Sequence, residues 1–329
     1  MDHSSAPHIA VIGSLNMDVV VEAERPPKMG ETVSGQKVHF LPGGKGANQA
    51  VALARLGARV SMIGSVGRDA FGDELKRALM MEGMTLDALK TVEEVATGTA
   101  HILIAQGDNQ IVVVPGANDH CLPCDIALHE EMIAQADAVL LQLEIPLETV
   151  CCAAEVAKKH RKLVILNPAP ARKLPDKALQ NIDVITPNQF ELGLLAEMEW
   201  TGTDGIGPAM EKLLNGGIGQ VVVTLGAKGA AFLERGKTLR AIPGIQTPVV
   251  DTTGAGDAFN AGLAYALATK KSLADAVRFA VQVSALSVTK MGAQKGMPTL
   301  DEVRAFFRSG QADEGTLLKI FRPEREDGT

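Results

Sequence analysis

This sequence has few aromatic side chains, no long apolar run and no excess of basic charge. Only 3% of its 329 residues are aromatic, and the net charge is −7, with lysine and arginine scattered along the chain. Scattered basic residues in an acidic chain argue against a nucleic-acid partner. No apolar run reaches the roughly 18 residues of a membrane-spanning helix, and residues 1–8 are polar. We therefore expect a cytoplasmic protein with neither a membrane nor a nucleic acid as partner.

Cysteine is scarce, and the cysteines are spaced to supply only half of the ligands of a typical metal site. The four cysteines occur as Cys121-x-x-Cys124 and as the adjacent pair Cys151 and Cys152. A Cys-x-x-Cys pair is half of many zinc sites, but the sequence contains no second half. Cys151 and Cys152 also lie inside an apolar helical run. The spacing favours structural or incidental thiols, with a zinc site as the less favoured alternative.

Apolar residues make up 46% of the sequence and are arranged as short runs separated by helical segments. Continuous apolar runs that end in glycine or polar residues are typical of strands buried in a parallel sheet. Such runs occur at residues 8–13, 136–144, 162–166, 182–188 and 220–225. Strands that alternate with helices predict an α/β fold, with a doubly wound, mostly parallel central sheet and helices on both faces.

Two further stretches have the pattern of strands outside the main sheet. A strand resumes shortly after the first buried run, and residues 97–105 and 111–114 form a predicted hairpin that turns at Gly107, Asp108 and Asn109. Apolar strands of this kind need to be covered. We predict a small extra β-sheet, outside the main one, built from about residues 15–40 and 97–115.

The stretch at residues 248–268 combines a β-branched extended segment, a glycine turn and a helix. Residues 248–253 lead into Gly254-Ala255-Gly256, and a helix of small residues is predicted from about Asp257 onward. The first turn of a helix presents unpaired N–H groups and a partial positive charge, and glycines let a ligand approach them. The turn therefore predicts an anion cradle. Asp257 is then either a favourable N-terminal charge or a proton acceptor in phosphoryl transfer.

Two common phosphate-binding motifs do not fit these glycines. The dinucleotide motif requires a third glycine where Phe259 stands, and Walker A requires a hydroxyl residue where Gly46 stands. Residues 251–257, D-T-T-G-A-G-D, instead resemble the second signature of the ribokinase-like (PfkB) sugar kinases. Residues 43–50, G-G-K-G-A-N-Q-A, are similar to the first signature of that family. The resemblance extends in unbroken order over residues 9–307.

The resemblance implies a role for each residue of a sugar and nucleotide site. Asp257 would be the catalytic base, next to an anion hole formed by Gly254, Ala255 and Gly256. The sugar would be bound by Asn16, Asp18, Gly44, Lys45, Asn48, Glu144 and Asp257. ATP would be bound by Asn188, Thr224, Gly226, Gly229 and Gly256. The family usually has an asparagine near adenine, and Val281-Gln282 occupies that region here.

Several of these residues also have simpler explanations. Asn16 and Asp18 lie two apart and share one face of an extended segment, which on pattern alone is the solvated face of an edge strand. Lys45 after two glycines is usually a solvated lysine in a turn, and Asn188 alone suits a helix N-cap. In a polyol site, by contrast, the carboxylate of Asp18 would accept two hydroxyl donors.

The resemblance also implies two bound ions, Mg²⁺ and K⁺. Mg²⁺ would be held through waters by Asn188 and Glu191, and such a sparse motif is adequate because Mg²⁺ keeps several of its waters. K⁺ would be held by Asp251, Thr253, Ser287, Lys290 and Gly292. Gly296 replaces a serine that often completes this cation loop in the family. Alternatively, Asp251 only caps the turn.

The expected activity is ATP-dependent phosphorylation of D-ribose at O5 to give ribose 5-phosphate. The alternatives are a kinase of the same fold that acts on deoxyribose, fructose or a nucleoside, and a non-catalytic sensor of sugar or nucleotide. A sugar phosphate is the least favoured substrate, because Asp18 and Glu144 would repel it and no extra arginine lies in the sugar motifs. Residues 1–308 form the predicted kinase domain. The resemblance implies that its small extra sheet is a lid over the sugar and also the interface of a homodimer. Residues 309–329 form a predicted disordered tail.

Overall fold

The computed structural model describes residues 6–200 and 202–308, so the predicted tail at 309–329 lies outside the described residues. The strands are β1 (His8–Ile12), β2 (Asn16–Ala23), β3 (Gly35–Gly43), β4 (Arg59–Gly67), β5 (Leu89–Val92), β6 (Gly98–Ala105), β7 (Asp108–Val114), β8 (Ala138–Leu141), β9 (Leu163–Leu166), β10 (Val184–Ile185), β11 (Gln220–Thr224), β12 (Gly229–Glu234) and β13 (Arg240–Pro243). The helices are α1 (Lys45–Arg55), α2 (Ala70–Met81), α3 (Pro123–Leu128), α4 (Glu130–Gln135), α5 (Leu147–Lys159), α6 (Asp176–Leu179), α7 (Gln189–Ala196), α8 (Ile206–Asn215), α9 (Ala255–Ala268), α10 (Leu273–Ser287), α11 (Ala293–Gly296) and α12 (Leu300–Arg308).

The central sheet contains nine strands in the described part of the chain, in the order β13-β12-β11-β10-β9-β8-β1-β4-β5. Every pair from β11 to β5 is parallel, while β12 and β13 add an antiparallel edge. β1 pairs with β4 on one side and with β8 on the other, so the chain winds outward in both directions from β1. In such sheets, ligands bind beyond the carboxyl ends of the strands at this switch point.

Helices cover both faces of the sheet, and each face has its own apolar core. On one face α1, α9 and α10 pack over the sheet, with buried residues such as Leu53, Leu263 and Val277. On the other face α5, α7 and α8 do the same, with buried residues such as Val150 and Leu192. The sequence-based prediction of a doubly wound, mostly parallel α/β fold is therefore confirmed.

The predicted lid is present as a separate sheet of four strands among the described residues, in the order β3-β2-β6-β7. β2 and β6 are parallel, and the other two pairs are antiparallel. Asn16 and Asp18 lie at the start of β2, where the chain leaves the central sheet for the lid. Several apolar side chains of the lid stay exposed, among them Val38, Phe40, Ile104 and Val112.

The segment before α9 differs from the strand-like extension that its β-branched residues predict. Residues 248–253 pair with no strand in the described chain; instead, the N–H groups of Val250 and Asp251 both donate to the carbonyl of Val288, at 2.8 and 3.2 Å. The end of α10 therefore anchors this segment. α9 begins at Ala255, two residues before the predicted start at Asp257.

The lid hairpin also turns at a slightly different place from the predicted Gly107, Asp108 and Asn109. Its two turn residues are Gln106 and Gly107, with φ of 55° and 79°. Two successive positive φ angles are what a two-residue type I′ hairpin turn requires. Asp108 therefore already pairs with Ala105 in the ladder.

The zinc alternative finds no support in residues 6–200 and 202–308. No three His, Cys, Asp or Glu side chains come together there as metal ligands. All four cysteines are free, with Cys121 buried and Cys124 exposed. The same residues contain no helix that is both long and apolar enough to cross a membrane.

Candidate active site

A cavity of about 590 Å³ lies between the lid and the carboxyl edge of the central sheet. The lid supplies an apolar wall that includes Ile102, Ile111 and Val113. The opposite, polar wall contains all the residues that the sequence predicted for the sugar, namely Asn16, Asp18, Gly44, Lys45, Asn48, Glu144 and Asp257. Asn16 is only 3% exposed, so the alternative of a solvated edge strand does not hold for it.

Asp257 lies in the first turn of α9, at the wall of this cavity, and is 7% exposed. Asn48 Nδ2 donates a hydrogen bond to its Oδ2 at 2.9 Å, and Gln49 Nε2 donates one to its Oδ1 at 3.0 Å. Burial raises the pKa of Asp257, while Lys45 and the two amide donors oppose that shift. A buried carboxylate with a raised pKa is a stronger proton acceptor than a free aspartate, which suits a general base.

Five carboxylates share the cavity with two cationic side chains. Asp18, Asp119, Glu144, Glu191 and Asp257 line it together with Lys45 and Arg172, and Lys45 Nζ lies 3.8 Å from Glu144 Oε1. Burial, together with Glu144 and Asp257, raises the pKa of Asp18 to about 7. Burial alone would lower the pKa of Lys45, but the nearby carboxylates Asp257, Glu144, Glu191 and Asp18 outweigh burial and raise it. This excess of negative charge favours a neutral ligand rich in hydroxyl donors over an anionic one.

The turn that begins α9 separates this cavity, which we call the sugar cavity after the sugar residues predicted in its wall, from a second cleft of about 280 Å³. Gly254 and Asp257 line the cavity, whereas Ala255 and Gly256 line the cleft. Gly254 has φ 78°, and a Cβ there would lie 3.0 Å from Cα of Ala293, so both conformation and packing require glycine. Among the described residues, the N–H groups of Gly256 and Asp257 donate to no backbone carbonyl. They can therefore bind an anion at this helix N-terminus.

The second cleft is lined by predicted nucleotide residues and by one face of α10. The predicted residues in its wall are Thr224, Gly226, Gly229 and Gly256. α10 adds Val281, Ser284 and Ala285, and Val288, which caps its C-terminus, completes this wall. Ser284, Ala285 and Val288 lie three, four and seven residues after Val281, and residues at this spacing share one face of a helix. This spacing is the sequence signal that could have identified the cleft wall near Val281-Gln282. Asn188 does not line the cleft, although it forms a β-bridge with Thr224 at the cleft's edge.

Asn188 and Glu191 form a capping box at the start of α7. Asn188 Oδ1 accepts the N–H of Glu191, and Glu191 Oε2 accepts the N–H of Asn188, both at 2.8 Å. The helix N-cap explanation of Asn188 is therefore confirmed. Burial raises the pKa of Glu191, whose side chain also lines the sugar cavity. The capping box engages Oε2 and leaves Oε1 for a further ligand.

Asp251 joins the turn before α9 to the segment after α10. Its Oδ1 accepts the N–H and the hydroxyl of Thr253 at 2.9 and 2.7 Å, and its Oδ2 accepts the N–H of Gly292 at 2.8 Å. Burial raises the pKa of Asp251, but these hydrogen bonds outweigh burial and lower it. A Cβ at Gly296 would lie 2.8 Å from the carbonyl oxygen of Ser287 and 3.7 Å from that of Lys290. Two carbonyls of the predicted cation loop therefore converge where a serine side chain would begin.

Comparison with known proteins identifies the family. The model of the "pfkB family carbohydrate kinase" matches residues 6–300. This chain belongs to that family. It is 43% identical to the ribokinase of Haemophilus influenzae over 299 residues, which cover 91% of this chain and 97% of that protein. It is 44% identical to the ribokinase of Bacillus subtilis, covering 90% and 98%, and 37% identical to the deoxyribokinase of Salmonella typhi, covering 91% and 98%.

A solved structure shows the same fold. The structure of Arabidopsis thaliana ribokinase complexed with ribose and ATP is similar to this PfkB kinase, with a TM-score of 0.87 and 36% identity. The similarity covers 92% of this chain and 99% of that one. The chain is therefore a carbohydrate kinase, and the alternative of a non-catalytic sensor is not supported.

Two residues that hold predicted sugar-binding side chains of this PfkB kinase in place were not found from its sequence. Asn118 Nδ2 donates to Asn16 Oδ1 at 2.7 Å, and its Oδ1 accepts the N–H of Leu15 at 2.9 Å. Ser14 donates its hydroxyl to Glu144 Oε2 at 2.5 Å. Each pair is separated by more than 100 residues in sequence, so no local pattern marks it.

An arginine in the cavity wall was also missed, because it lies outside the sugar motifs. Arg172 donates from Nη2 to the carbonyls of Leu143 and Ile145, at 3.0 and 2.6 Å. These carbonyls flank Glu144 on both sides. The guanidinium thus stabilises the loop that presents Glu144.

Proposed function

We propose that this PfkB kinase transfers the γ-phosphoryl group of ATP to O5 of D-ribose, giving ribose 5-phosphate and ADP. One observation carries the proposal: the turn that begins α9 is shared between a hydroxyl-binding cavity on one side and the nucleotide cleft on the other. A phosphoryl group that passes between the two ligands has to cross this turn. The ribokinase relatives support ribose as the sugar.

In the proposed reaction Asp257 takes the proton of the sugar hydroxyl as that oxygen attacks the γ-phosphorus. A new oxygen–phosphorus bond forms, the bond to the β,γ-bridging oxygen breaks, and ADP leaves with the electron pair. The charge on the transferred group is stabilised by the first N–H groups of α9 and by the helix dipole. Asp257 then returns its proton to solvent.

The cavity wall gives a physical reason for a neutral sugar. Asp18 and Glu144 accept hydroxyl donors, whereas a phosphate on the incoming sugar would meet their negative charge. Lys45 already faces Glu144, and the Nη2 group of Arg172 is already bonded to main-chain carbonyls. Sugar phosphates therefore remain the least favoured substrates.

Two ions belong to the proposed function. The oxygen-donor chemistry of Asn188 and Glu191, with Glu191 Oε1 outside the capping box, fits a hydrated Mg²⁺ held through waters, and that ion would neutralise phosphate charge. Asp251 accepts three hydrogen bonds out of about four lone-pair directions, so one direction remains for K⁺. The carbonyls of Ser287 and Lys290 supply further oxygens of the kind that K⁺ prefers.

The cytoplasmic location and the homodimer stay predictions of the sequence. A dimer through the lid is supported by the apolar side chains that β3, β6 and β7 leave exposed, among them Phe40, Ile104 and Val112. Such a dimer would cover them.

A substrate panel tests the proposed function. D-ribose, 2-deoxy-D-ribose, D-fructose and adenosine are each incubated with ATP and Mg²⁺, ADP release is followed, and phosphorus NMR locates the phosphate on the product. We expect the highest kcat/KM for D-ribose, with the phosphate on O5. A site built to bond hydroxyls penalises an analogue by about 1–3 kcal/mol for each buried group left unpaired. A higher kcat/KM for deoxyribose, fructose or adenosine would instead assign the enzyme to that substrate.

A further inference from the structure

Behind Asp257, on the side away from the cavity, three buried amides form a chain of hydrogen bonds. Gln49, which is 0% exposed, donates from Nε2 to Asp257 Oδ1 at 3.0 Å and to Asn167 Oδ1 at 3.1 Å. Its Oε1 accepts a hydrogen bond from Gln142 Nε2 at 2.6 Å. We call Gln49, Gln142 and Asn167 the amide chain. Neither Gln49 nor Gln142 lines the sugar cavity, so neither is placed to contact the substrate.

The partners of Gln49 allow its amide only one orientation. An amide can be turned around within the same shape, which would exchange its donor and acceptor ends. In Gln49 that exchange would set an oxygen against the carboxylate of Asp257 and an NH₂ group against the NH₂ group of Gln142. Both contacts would be repulsive in a buried site. The carboxylate of Asp257, which only accepts, and Gln142 Nε2, which donates to Gln49 Oε1, therefore together keep the donor end of Gln49 on Asp257.

Gln142 packs against the backbone beside it. A Cβ at Gly13 would lie only 1.8 Å from Gln142 Oε1, so this side chain packs directly against the glycine. In the described chain Gln142 Oε1 has no hydrogen-bond partner, although it is buried. Leaving this buried amide oxygen unpaired costs free energy. The polar contact that the Gln142 side chain does make is the hydrogen bond from its Nε2 to Gln49 Oε1.

The two oxygens of Asp257 consequently have different surroundings. Oδ1 is held by Gln49 from the core, whereas Oδ2 is contacted by Asn48, which itself lines the cavity. We propose that Gln49, oriented by Gln142, is a positioning residue that fixes the rotation of the Asp257 carboxylate and so makes Oδ2 the oxygen that takes the substrate proton. This inference rests on the proposed role of Asp257 as the base.

The same hydrogen bond influences when Asp257 is ionised. An N–H donor stabilises the charged carboxylate, and Gln49 is one of the groups that counter the effect of burial on the pKa of Asp257. Losing that donor raises the pKa further, so the base stays protonated up to a higher pH. A merely structural role of Gln49 would change stability without moving this titration.

The variant Gln49→Met removes both donors and keeps an unbranched side chain of similar length. We expect kcat for ribose to fall roughly 10- to 100-fold, as for loss of one preorganised contact, with the KM for ATP nearly unchanged. We also expect the acidic limb of the kcat profile, measured at saturating ribose and ATP, to move up by about one pH unit, so that part of the loss is recovered at high pH. Gln142→Met should also lower kcat and move the acidic limb to higher pH, in each case by less than Gln49→Met.

The matched control is Thr149→Val, which removes another fully buried hydrogen bond, from Thr149 Oγ1 to the carbonyl of Cys121 at 2.7 Å, away from the cavity. Its pH profile should match that of the wild type. Thermal melts establish that each variant is folded, and Gln142→Met decides the outcome if Gln49→Met does not fold. A wild-type kcat and acidic limb in the folded variant would overturn the inference.

A carboxyl-carbon NMR titration of Asp257 gives a readout that needs no turnover. In protein labelled at aspartate, the Asp257 resonance should titrate at a higher pH in Gln49→Met than in the wild type. A wild type that phosphorylates none of the panel sugars would contradict the proposed function, and this titration would still test the contact. An unchanged titration in an active enzyme would contradict the positioning role alone.

Discussion

At the scale of single residues, the sugar cavity places negative charges closer together than a stable core would favour. Burial and two neighbouring carboxylates raise the pKa of Asp18 to about 7, so its ionised form is destabilised in the folded protein. Above that pH the ionised carboxylate can accept two hydroxyl donors from a sugar. Binding function and folding stability therefore make opposite demands on Asp18.

The first prediction concerns ribose binding by Asp18 as a function of pH. If only the ionised form binds well, the ribose Kd from calorimetry should rise roughly tenfold between pH 8 and pH 6, as the fraction of binding-competent protein falls. Asp18→Asn should bind ribose weakly at both pH values and remove most of this dependence. Asp108→Asn, in the exposed lid hairpin, is the control and should behave as the wild type. A wild-type Kd that does not change with pH would contradict the prediction.

The second prediction concerns stability at the same residue. Because the folded-state pKa of Asp18 is raised above the unfolded value, the folded protein binds the proton more tightly, and stability falls as pH rises from about 4 to about 7. Asp18→Asn removes that cost, so the variant should melt at a higher temperature than the wild type at pH 8. Each kcal/mol corresponds to roughly 2–4 °C in a domain of 150–250 residues. A lower melting temperature at pH 8 would show that the carboxylate stabilises the fold instead.

At the scale of elements, α9 depends on its neighbours for the geometry of its first turn. The preceding segment bonds to the carbonyl of Val288 at the end of α10, and Asp251 bonds to Gly292 beyond it. Ser284 of α10 also donates its hydroxyl to the carbonyl of Ala255 at 2.9 Å. α10 and the segment after it therefore hold the turn in place from one side.

The third prediction concerns potassium and this turn. If K⁺ binds between Asp251 and the carbonyls of Ser287 and Lys290, added KCl should raise turnover in a sodium-free Tris assay, and choline chloride should not. Losing one preorganised donor costs about 2.7–4 kcal/mol, so a partly loosened turn could lower the rate about tenfold. Asp251→Ala should be slow and insensitive to KCl. Equal wild-type rates with KCl, with choline chloride and without salt would eliminate the site.

Local patterns in the sequence predicted the elements, and they failed where distant partners decide the structure. The buried strands, the lid and α9 each follow from contiguous residues and were predicted. Residues 248–253 have strand-forming side chains but are bonded to the end of α10, a contact that no local pattern shows. Gln49 is adjacent to the predicted Asn48, yet its partner Asp257 lies 208 residues away. Family resemblance could place Asp257 in the site, but only the folded chain shows what orients it.

At the scale of the whole molecule, the lid leaves apolar side chains exposed on both of its faces. The register places Ile104 with Ile102 and Ile111 on the face toward the sugar cavity, and Val112 on the opposite face. Ile104 is 40% exposed and Val112 is 65% exposed. Exposed apolar patches of this kind mark interaction sites in soluble proteins.

The fourth prediction is that the protein sediments as a homodimer that depends on the lid. The double variant Ile104→Lys and Val112→Lys places a charge on each face and should sediment as a monomer. Met81→Lys is the matched control, because Met81 is 89% exposed at the end of α2, outside the lid, and this variant should remain dimeric. A monomeric wild type, or a double variant that stays dimeric, would contradict a lid interface.

The molecule as a whole brings the two proposed binding sites together at one turn, and Asp257 is the residue on which the proposed reaction depends. The most direct measurement is the kcat of Asp257→Asn with ribose and ATP, alongside calorimetric binding of each ligand. We expect kcat to fall by roughly 10²–10⁴, the range typical of a lost general base, with ribose and ATP binding close to wild type. Retention of more than about a tenth of the wild-type kcat would show that Asp257 is not the base.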